Sequence, residues 1–345
     1  MNHINILKRS LNITINYRAL WLFGALLALT AGGNGGGGNG GGGSGSSNGN
    51  NPGFNGQIPF GGMPTIPPSV LNTIIAVAVG LACLILILMV AGTIVRYVSE
   101  TALIRMVDEH EKSGEKLTIR QGFKLGWSRA AWKLFLMDLL VGLSFMVAFI
   151  LLLALSALPL LVWLTKNTPA QIIGTIVSGG MILLLLFATI IVALAVGLIV
   201  LFARRACVLE GLGVRDSIRR GYAMVKQRLS DVLIMGVMMF GIGLLWMLVT
   251  IPIVLGILVA ATLFGGLPAL LAGSVVGIFT HGATPWIVAA IVGLPLFMIA
   301  VIIPGTLIGG WQQVFSSTTW TLTYREALAM EQVKEGGDLP APVTV

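Results

Sequence analysis

The stretch IRRGYAMVKQRLSDVLIMGVMMFGIGLLWMLVTIPIVLGILVAATLF, residues 218–264, carries the pattern from which the fold follows. Its first part is basic and amphipathic. Val214, Ile218, Tyr222, Val225 and Leu229 recur at helical steps on one face, while Arg215, Arg219, Arg220, Lys226 and Arg228 occupy the others. From Asp231 onward the stretch is apolar without a break. A helix needs about 20 apolar residues to cross the roughly 30 Å of a bilayer core. The run exceeds that length, so it reads as a membrane span entered from a basic helix that lies in the headgroup layer.

Four more runs are long enough to cross: residues 70–95, 134–165, 170–203 and 285–311. A sixth, residues 19–31, is short and reaches the length only by starting near Ile13, with Arg18 snorkelling to the headgroups. The longest runs must tilt, kink or protrude, and Pro252, Pro295 and Pro304 are the expected kink points. Residues 265–284 read as an apolar external connection, in which 267–279 are too few to span and form either an ordinary loop with an apolar cap or a re-entrant or interfacial segment. Composition agrees with lipid as the solvent. The 345 residues are 56% hydrophobic and only 10% charged, against about 25% charged for a soluble domain.

Charge sets the orientation. With six spans, one side holds residues 32–69, 166–169 and 265–284, where Lys166 is the single basic residue. The remaining 20 of the 21 Lys and Arg lie on the other side, which is therefore the cytoplasm, and both chain ends lie there. The net charge of +8 is accounted for in this way and does not call for nucleic acid. Residues 32–49 hold only Gly, Asn and Ser, with no G-K-[ST], and read as a flexible external linker.

Three segments align without gaps: LKRSLNITINYRALWLF (7–23), IRQGFKLGWSRAAWKLF (119–135) and IRRGYAMVKQRLSDVLI (218–234). Each has a basic residue (Lys8, Arg120, Arg219), a small one two places on (Ser10, Gly122, Gly221) and then a large apolar one (Leu11, Phe123, Tyr222). By period the first sets Ile4, Leu7, Leu11 and Ile15 on one face, and the second sets Ile119, Phe123, Trp127 and Ala130 together. The return spans end in ETALIRMVDEH (100–110), ARRACVLEG (203–211) and TTWTLTYREAL (318–328). The expected fold is thus all-α and integral to the membrane. It has six transmembrane helices, arranged as three like-oriented repeats of amphipathic interfacial helix plus transmembrane hairpin. The repeats cover residues 1–112, 113–212 and 213–330, with 331–345 as a cytoplasmic tail.

Chemistry-bearing groups are sparse. Cys83 and Cys207 show no redox or metal spacing, and His3, His110 and His281 are far apart, so neither a metal site nor a cofactor is expected. Asp108, Glu109 and Glu111 sit among Arg105, Lys112 and Lys116, as a solvated helix end does. Asp138 lies a turn inside an apolar run, where an ionisable group is costly and marks either an ion pair or a functional position. Lys133 and Arg129 are its expected partners, and Asp231 is an expected helix N-cap. The basic stripes Arg120/Lys124/Arg129 and Arg215/Arg219/Arg220/Lys226/Arg228 are candidates for anionic lipid headgroups, and equally for topological anchors.

The opening RALWLFGALLAL (18–29), followed by glycines, and the ending VFSSTTWTLTYREAL (314–328) resemble a broad set of poorly characterised prokaryotic membrane proteins. That set is similar to the membrane domain of some glycerophosphodiester phosphodiesterases. In those enzymes the hydrolase is a separate soluble barrel with acidic and His metal ligands. No such segment occurs in these residues, so the resemblance implies a prokaryotic plasma-membrane module and no activity. The expected function is a non-catalytic scaffold, accessory subunit or lipid-interacting module, whose partners are membrane lipids or other membrane proteins. The alternatives are a transporter or channel, suggested by Asp138 and the prolines, and then a membrane enzyme.

Overall fold

The computed structural model describes residues 2–30, 68–164, 168–280, 282 and 284–337. The glycine-rich run, Lys166, His281 and the end of the tail lie outside the described residues. Nine α-helices occur in them and no strand. They are α1 (His3–Asn16), α2 (Ala19–Thr30), α3 (Pro68–Ser113), α4 (Ile119–Gly126), α5 (Arg129–Ala157, continued by a 3₁₀ turn Leu158–Leu164), α6 (Thr168–Leu209), α7 (Val214–Gln227), α8 (Leu229–Phe279) and α9 (Thr284–Gly337). Five of these, α3, α5 with its turn, α6, α8 and α9, are long and apolar enough to cross a membrane. The chain is therefore an all-helical, membrane-embedded protein with five such helices, or six if α1 and α2 are taken as one span.

The chain divides into two compact units, residues 39–95 and residues 1–38 with 96–345. In the first, the described side chains of α3 from residue 79 onward are nearly all exposed apolar groups. The second holds everything else. There, in α5, α6, α8 and α9, at most 6% of the most apolar stretch is buried within the chain, so these helices present their side chains to lipid.

Where helices do touch within the apolar stretches, small residues allow it. A Cβ on Gly24 of α2 would come within 2.5 Å of Val314 of α9, and one on Gly310 within 2.6 Å of the Ala25 backbone nitrogen. Gly265 of α8 faces Gly293 of α9 in the same way, and Gly273 faces Ala289 and Pro285. Trp246 and Trp311 stack at 5.0 Å along the same pair.

The buried core takes in the Gly24–Val314 contact and centres where the ends of α3, α6 and α9 meet the short helices. Leu103, Met106 and Val107 of α3, Phe202 and Ala206 of α6, and Trp320, Leu322 and Tyr324 of α9 are buried there. Ile6, Ile13, Tyr17, Leu20 and Phe23 from α1, α2 and the residues between them join this cluster, with Met224 and Val225 from α7. Glycines with positive φ follow two of the long helices, Gly114 (φ 73°) after α3 and Gly211 (φ 72°) just beyond α6. A residue with a Cβ is strained in that conformation, which fits a helix stop.

Several expectations change. The segment from Ile13 is not one straight helix, because α1 ends at Asn16 and α2 leaves it at 96°; only as a bent pair are the two long and apolar enough for a sixth span. The 12 residues of α2 extend only roughly 18 Å. The break is held by Tyr17, whose hydroxyl donates to the Leu117 carbonyl (2.9 Å), and by Trp21, whose indole N–H donates to the Thr14 carbonyl (2.6 Å). The helix expected through Trp127 likewise stops at Gly126, and Trp127 is 71% exposed. Gln121 caps the start of α4 by accepting from the Thr118 N–H (2.8 Å). Residues 265–279 are not a loop but the last turns of α8. Prolines 252, 268, 295 and 304 all lie inside continuous helices.

Overpacking the α2–α9 approach tests this packing. Gly24→Leu is expected to destabilise the protein by about 1–3 kcal/mol in thermal unfolding in detergent. Gly142→Leu, at a site with nothing within 4 Å, is expected to leave the midpoint unchanged.

Candidate functional site

The three short helices attach through one kind of contact. Ser10 of α1 is fully buried and accepts a hydrogen bond from Thr319 of α9 (2.8 Å), while donating to the Leu7 carbonyl (2.9 Å). Gly122 of α4 is buried, and a Cβ there would lie 2.5 Å from the Met106 sulfur and 2.7 Å from the Phe23 ring. Gly221 of α7 is buried against α6, where a Cβ would meet the Ala203 nitrogen and the Ile199 oxygen, each at 2.7 Å. A small residue lets each helix axis come close to its neighbour. The larger apolar residue that follows stays partly exposed: Leu11, Phe123 and Tyr222 are 40%, 39% and 53% exposed, and the Phe123 ring also packs on Phe23 at 4.9 Å.

The face inferred from period is only partly the buried one: Val225 and Ala130 are buried, and Leu7, Val214 and Ile218 pack against the core, while other members stay exposed. Ile4, Leu11 and Ile15 of α1 are exposed, while Ile6, Ser10, Ile13 and Thr14 are buried. In α7 the buried set is Ser217, Gly221, Met224 and Val225, and Tyr222 is exposed, as is Leu229 at the start of α8. Each helix has one side on the protein and a second apolar side free of it.

Ionic contacts tie the ends of the long helices together. Arg204 of α6 holds Asp138 of α5 with two donors, Nη2 to Oδ2 (2.6 Å) and Nε to Oδ1 (3.2 Å). Its Nη1 donates to Glu100 of α3 (2.9 Å), and the Tyr97 hydroxyl donates to Asp138 Oδ2 (3.0 Å). Arg325 of α9 donates to the Asp108 carboxylate and carbonyl of α3, both at 2.7 Å. Arg220 of α7 binds Glu331 of α9 with two donors (2.7 and 3.1 Å), and Tyr324 donates to Glu210. Arg9 of α1 pairs with Glu111 of α3. Paired, two-donor arginines of this kind satisfy carboxylates that would otherwise be costly beside lipid.

Asp138 is thus neutralised by Arg204, 66 residues away, and not by Lys133 or Arg129. Lys133 donates instead to the Gly211 and Leu212 carbonyls (2.9 and 3.1 Å). Arg129 is exposed. Sequence reading missed Arg204, Glu100 and Tyr97. The available signal was depth: each lies near the end of its apolar run, as Asp138 does. Asp231 is not the N-cap of α8, a position that Arg228 takes; it lies in the first turn, with His3 at 3.6 Å.

The basic candidates separate into two groups. Arg220 is spent on Glu331, and Arg228 donates to the Met330 sulfur (3.4 Å). Arg120, Lys124, Arg129, Arg215, Arg219 and Lys226 are exposed and have no carboxylate partner among the described residues. Arg215 and Arg219 line a groove of ≈ 1030 Å³ between α5, α6 and α7. Leu140, Val141, Ser144 and Phe145 form its α5 wall, and Val196, Ile199 and Val200 its α6 wall. Asp216, Ile218 and Tyr222 complete the α7 side. Among the described residues no group of three or more His, Cys, Asp or Glu side chains is placed to hold a metal ion.

Long apolar helices, a core confined to one end and an ionic lattice around that end define an α-helical membrane protein. The chain belongs to a family of unknown function, DUF7544, which it matches over residues 14–320. No curated protein and no solved structure matches it.

Unpairing the Arg204 lattice is the stability test. Asp138→Asn and Arg204→Gln are each expected to cost about 3–5 kcal/mol, as removal of one partner from a buried ion pair does. In a double-mutant cycle the two are expected to couple strongly, whereas Asp138→Asn and Lys133→Gln add independently.

Proposed function

We propose that the protein is a non-catalytic module of a prokaryotic plasma membrane whose amphipathic helices hold anionic lipid in the cytoplasmic headgroup layer. In that role it serves as a scaffold or accessory subunit for other membrane proteins. The observation that carries this reading is the separation of the basic residues. Those needed for the lattice find carboxylates, and six others stay exposed and unpaired on or beside α4 and α7. Exposed basic side chains next to exposed Phe123, Trp127, Tyr222 and Leu229 make a surface suited to the boundary of an anionic leaflet.

The reading includes three like-oriented repeats and six spans, with both ends in the cytoplasm. Support comes from equivalent positions. Ser10, Gly122 and Gly221 align in the sequence, and each packs against a helix that ends the unit before it: α9, α3 and α6. The first unit thereby meets the last, so the series closes on itself. Retention of Lys and Arg on one side supplies the orientation.

A reporter fused after Asn50 is expected to read as external and one at the C-terminus as internal. An internal reading after Asn50 contradicts the six-span arrangement. Lipid extracted with the purified protein is expected to be enriched in anionic over zwitterionic species. Arg120→Gln, Lys124→Gln and Arg129→Gln together are expected to reduce that enrichment, at about 1 kcal/mol per basic group. Equal enrichment in the triple variant counts against the lipid-holding role of α4.

A further inference from the structure

We infer that the groove between α5, α6 and α7 is a binding site for one glycerophospholipid of net charge −1, with its phosphate on Arg215 and Arg219 and an acyl chain against α5 and α6. This rests on the lipid-holding role proposed above and assigns it a particular place.

Three observations converge on this occupant. The first is the wall. Leu140 through Phe145 begin two residues beyond Asp138 and run deeper into the apolar part of α5, while Val196 to Val200 run the same way back from Arg204. The Arg204–Asp138 pair therefore marks the polar end of the groove, and about 10 Å of apolar helix lies beyond it. An acyl chain suits such a wall; a soluble polar metabolite does not.

The second is charge. The Asp138 carboxylate is already satisfied by Arg204 and Tyr97, so it exerts little pull on a cation or repulsion on an anion at the groove. On α7, Arg215 and Arg219 stand one turn apart and face the groove, with Asp216 beside them. Two guanidinium groups and one carboxylate leave one positive charge on the lining. A headgroup of net charge −1 brings that lining to neutrality, which a zwitterionic headgroup with a cation beside the same phosphodiester does not, and guanidinium groups bind phosphate oxygens well.

The third is fixation of α7. Gly221 seats it on α6, and Arg220 is held by Glu331 with two donors. These contacts seat α7 on α6 beside the groove and on α9, so Arg215 and Arg219 are presented to the groove by a helix that is already fixed. The helix itself therefore need not be ordered when the ligand arrives, and only the two exposed side chains lose freedom.

The test is native mass spectrometry of the full chain in detergent, titrated with phosphatidylglycerol or with phosphatidylcholine. The wild type is expected to keep one phosphatidylglycerol per chain at activation energies that strip phosphatidylcholine. Arg215→Gln with Arg219→Gln is expected to weaken that adduct about thirtyfold, from two basic groups together. Arg215→Lys with Arg219→Lys is expected to keep most of it. Ser144→Trp and Val196→Phe, which fill the groove without touching a charge, are each expected to remove the same adduct. Arg120→Gln with Lys124→Gln is expected to leave it, because α4 does not line the groove. Only variants that retain the wild-type melting midpoint are compared, and the two filling variants stand in for each other.

If the filling variants keep the adduct, the lipid sits elsewhere: the groove site is overturned while the broader lipid role stands. If the wild type shows no preference between the two lipids, both readings fall.

Discussion

The arrangement depends on close approach at three small residues. Ser10, Gly122 and Gly221 let α1, α4 and α7 lie directly on the ends of α9, α3 and α6. Lipid supplies no hydrophobic drive between apolar helices, so packing, hydrogen bonds and ion pairs must hold them. In this protein such contacts are concentrated at one end. The core of Leu103, Phe202, Trp320 and Tyr324 lies there, as do the pairs made by Arg204, Arg220 and Arg325. A larger side chain at Gly221 would push α7 from α6 and move Arg220 away from Glu331 at the same time.

The same geometry gives each short helix two working sides. Small and medium residues meet the protein most closely, while Leu11, Phe123 and Tyr222 stay partly exposed beside basic side chains, Phe123 against the Phe23 ring and Tyr222 on the groove. Attachment and exposure are thus set by adjacent residues of one motif. This links the stability of the helical ends to the lipid-facing surface: arginines needed for structure are paired, and those left unpaired border the groove and the outer side of α4 and α7.

The apolar runs were legible because length and composition alone decide whether a helix suits a bilayer. The small residues were visible as an aligned position, but not as contacts. Period placed Ile4, Leu11 and Ile15 on one face correctly, yet could not say which of two usable faces the protein would cover. Residues 265–279 read as a connection because Gly265, Gly273 and Gly277 look like loop residues. In α8 the first two are where α9 comes close, and glycine there serves packing. Asp138 stood out at once as a charge in an apolar run, but its partner was sought nearby in sequence. Arg204 reaches it from another helix, and nothing local to Asp138 encodes that pairing. The groove was not legible at all, since it is made by three helices whose crossing no local pattern specifies.

The contact between Ser10 and Thr319 joins positions 309 residues apart and closes the first short helix onto the last long one. Disulfide trapping in native membranes tests it most directly. With Cys83 and Cys207 replaced by Ser and Ala, Ser10→Cys with Thr319→Cys is expected to form a cross-link under mild oxidation, since the two side-chain oxygens lie 2.8 Å apart. Leu11→Cys with Thr319→Cys is the control, because Leu11 faces away from the protein. Efficient cross-linking of the first pair and not the second supports the account. Equal cross-linking of both pairs, or none at Ser10, contradicts it.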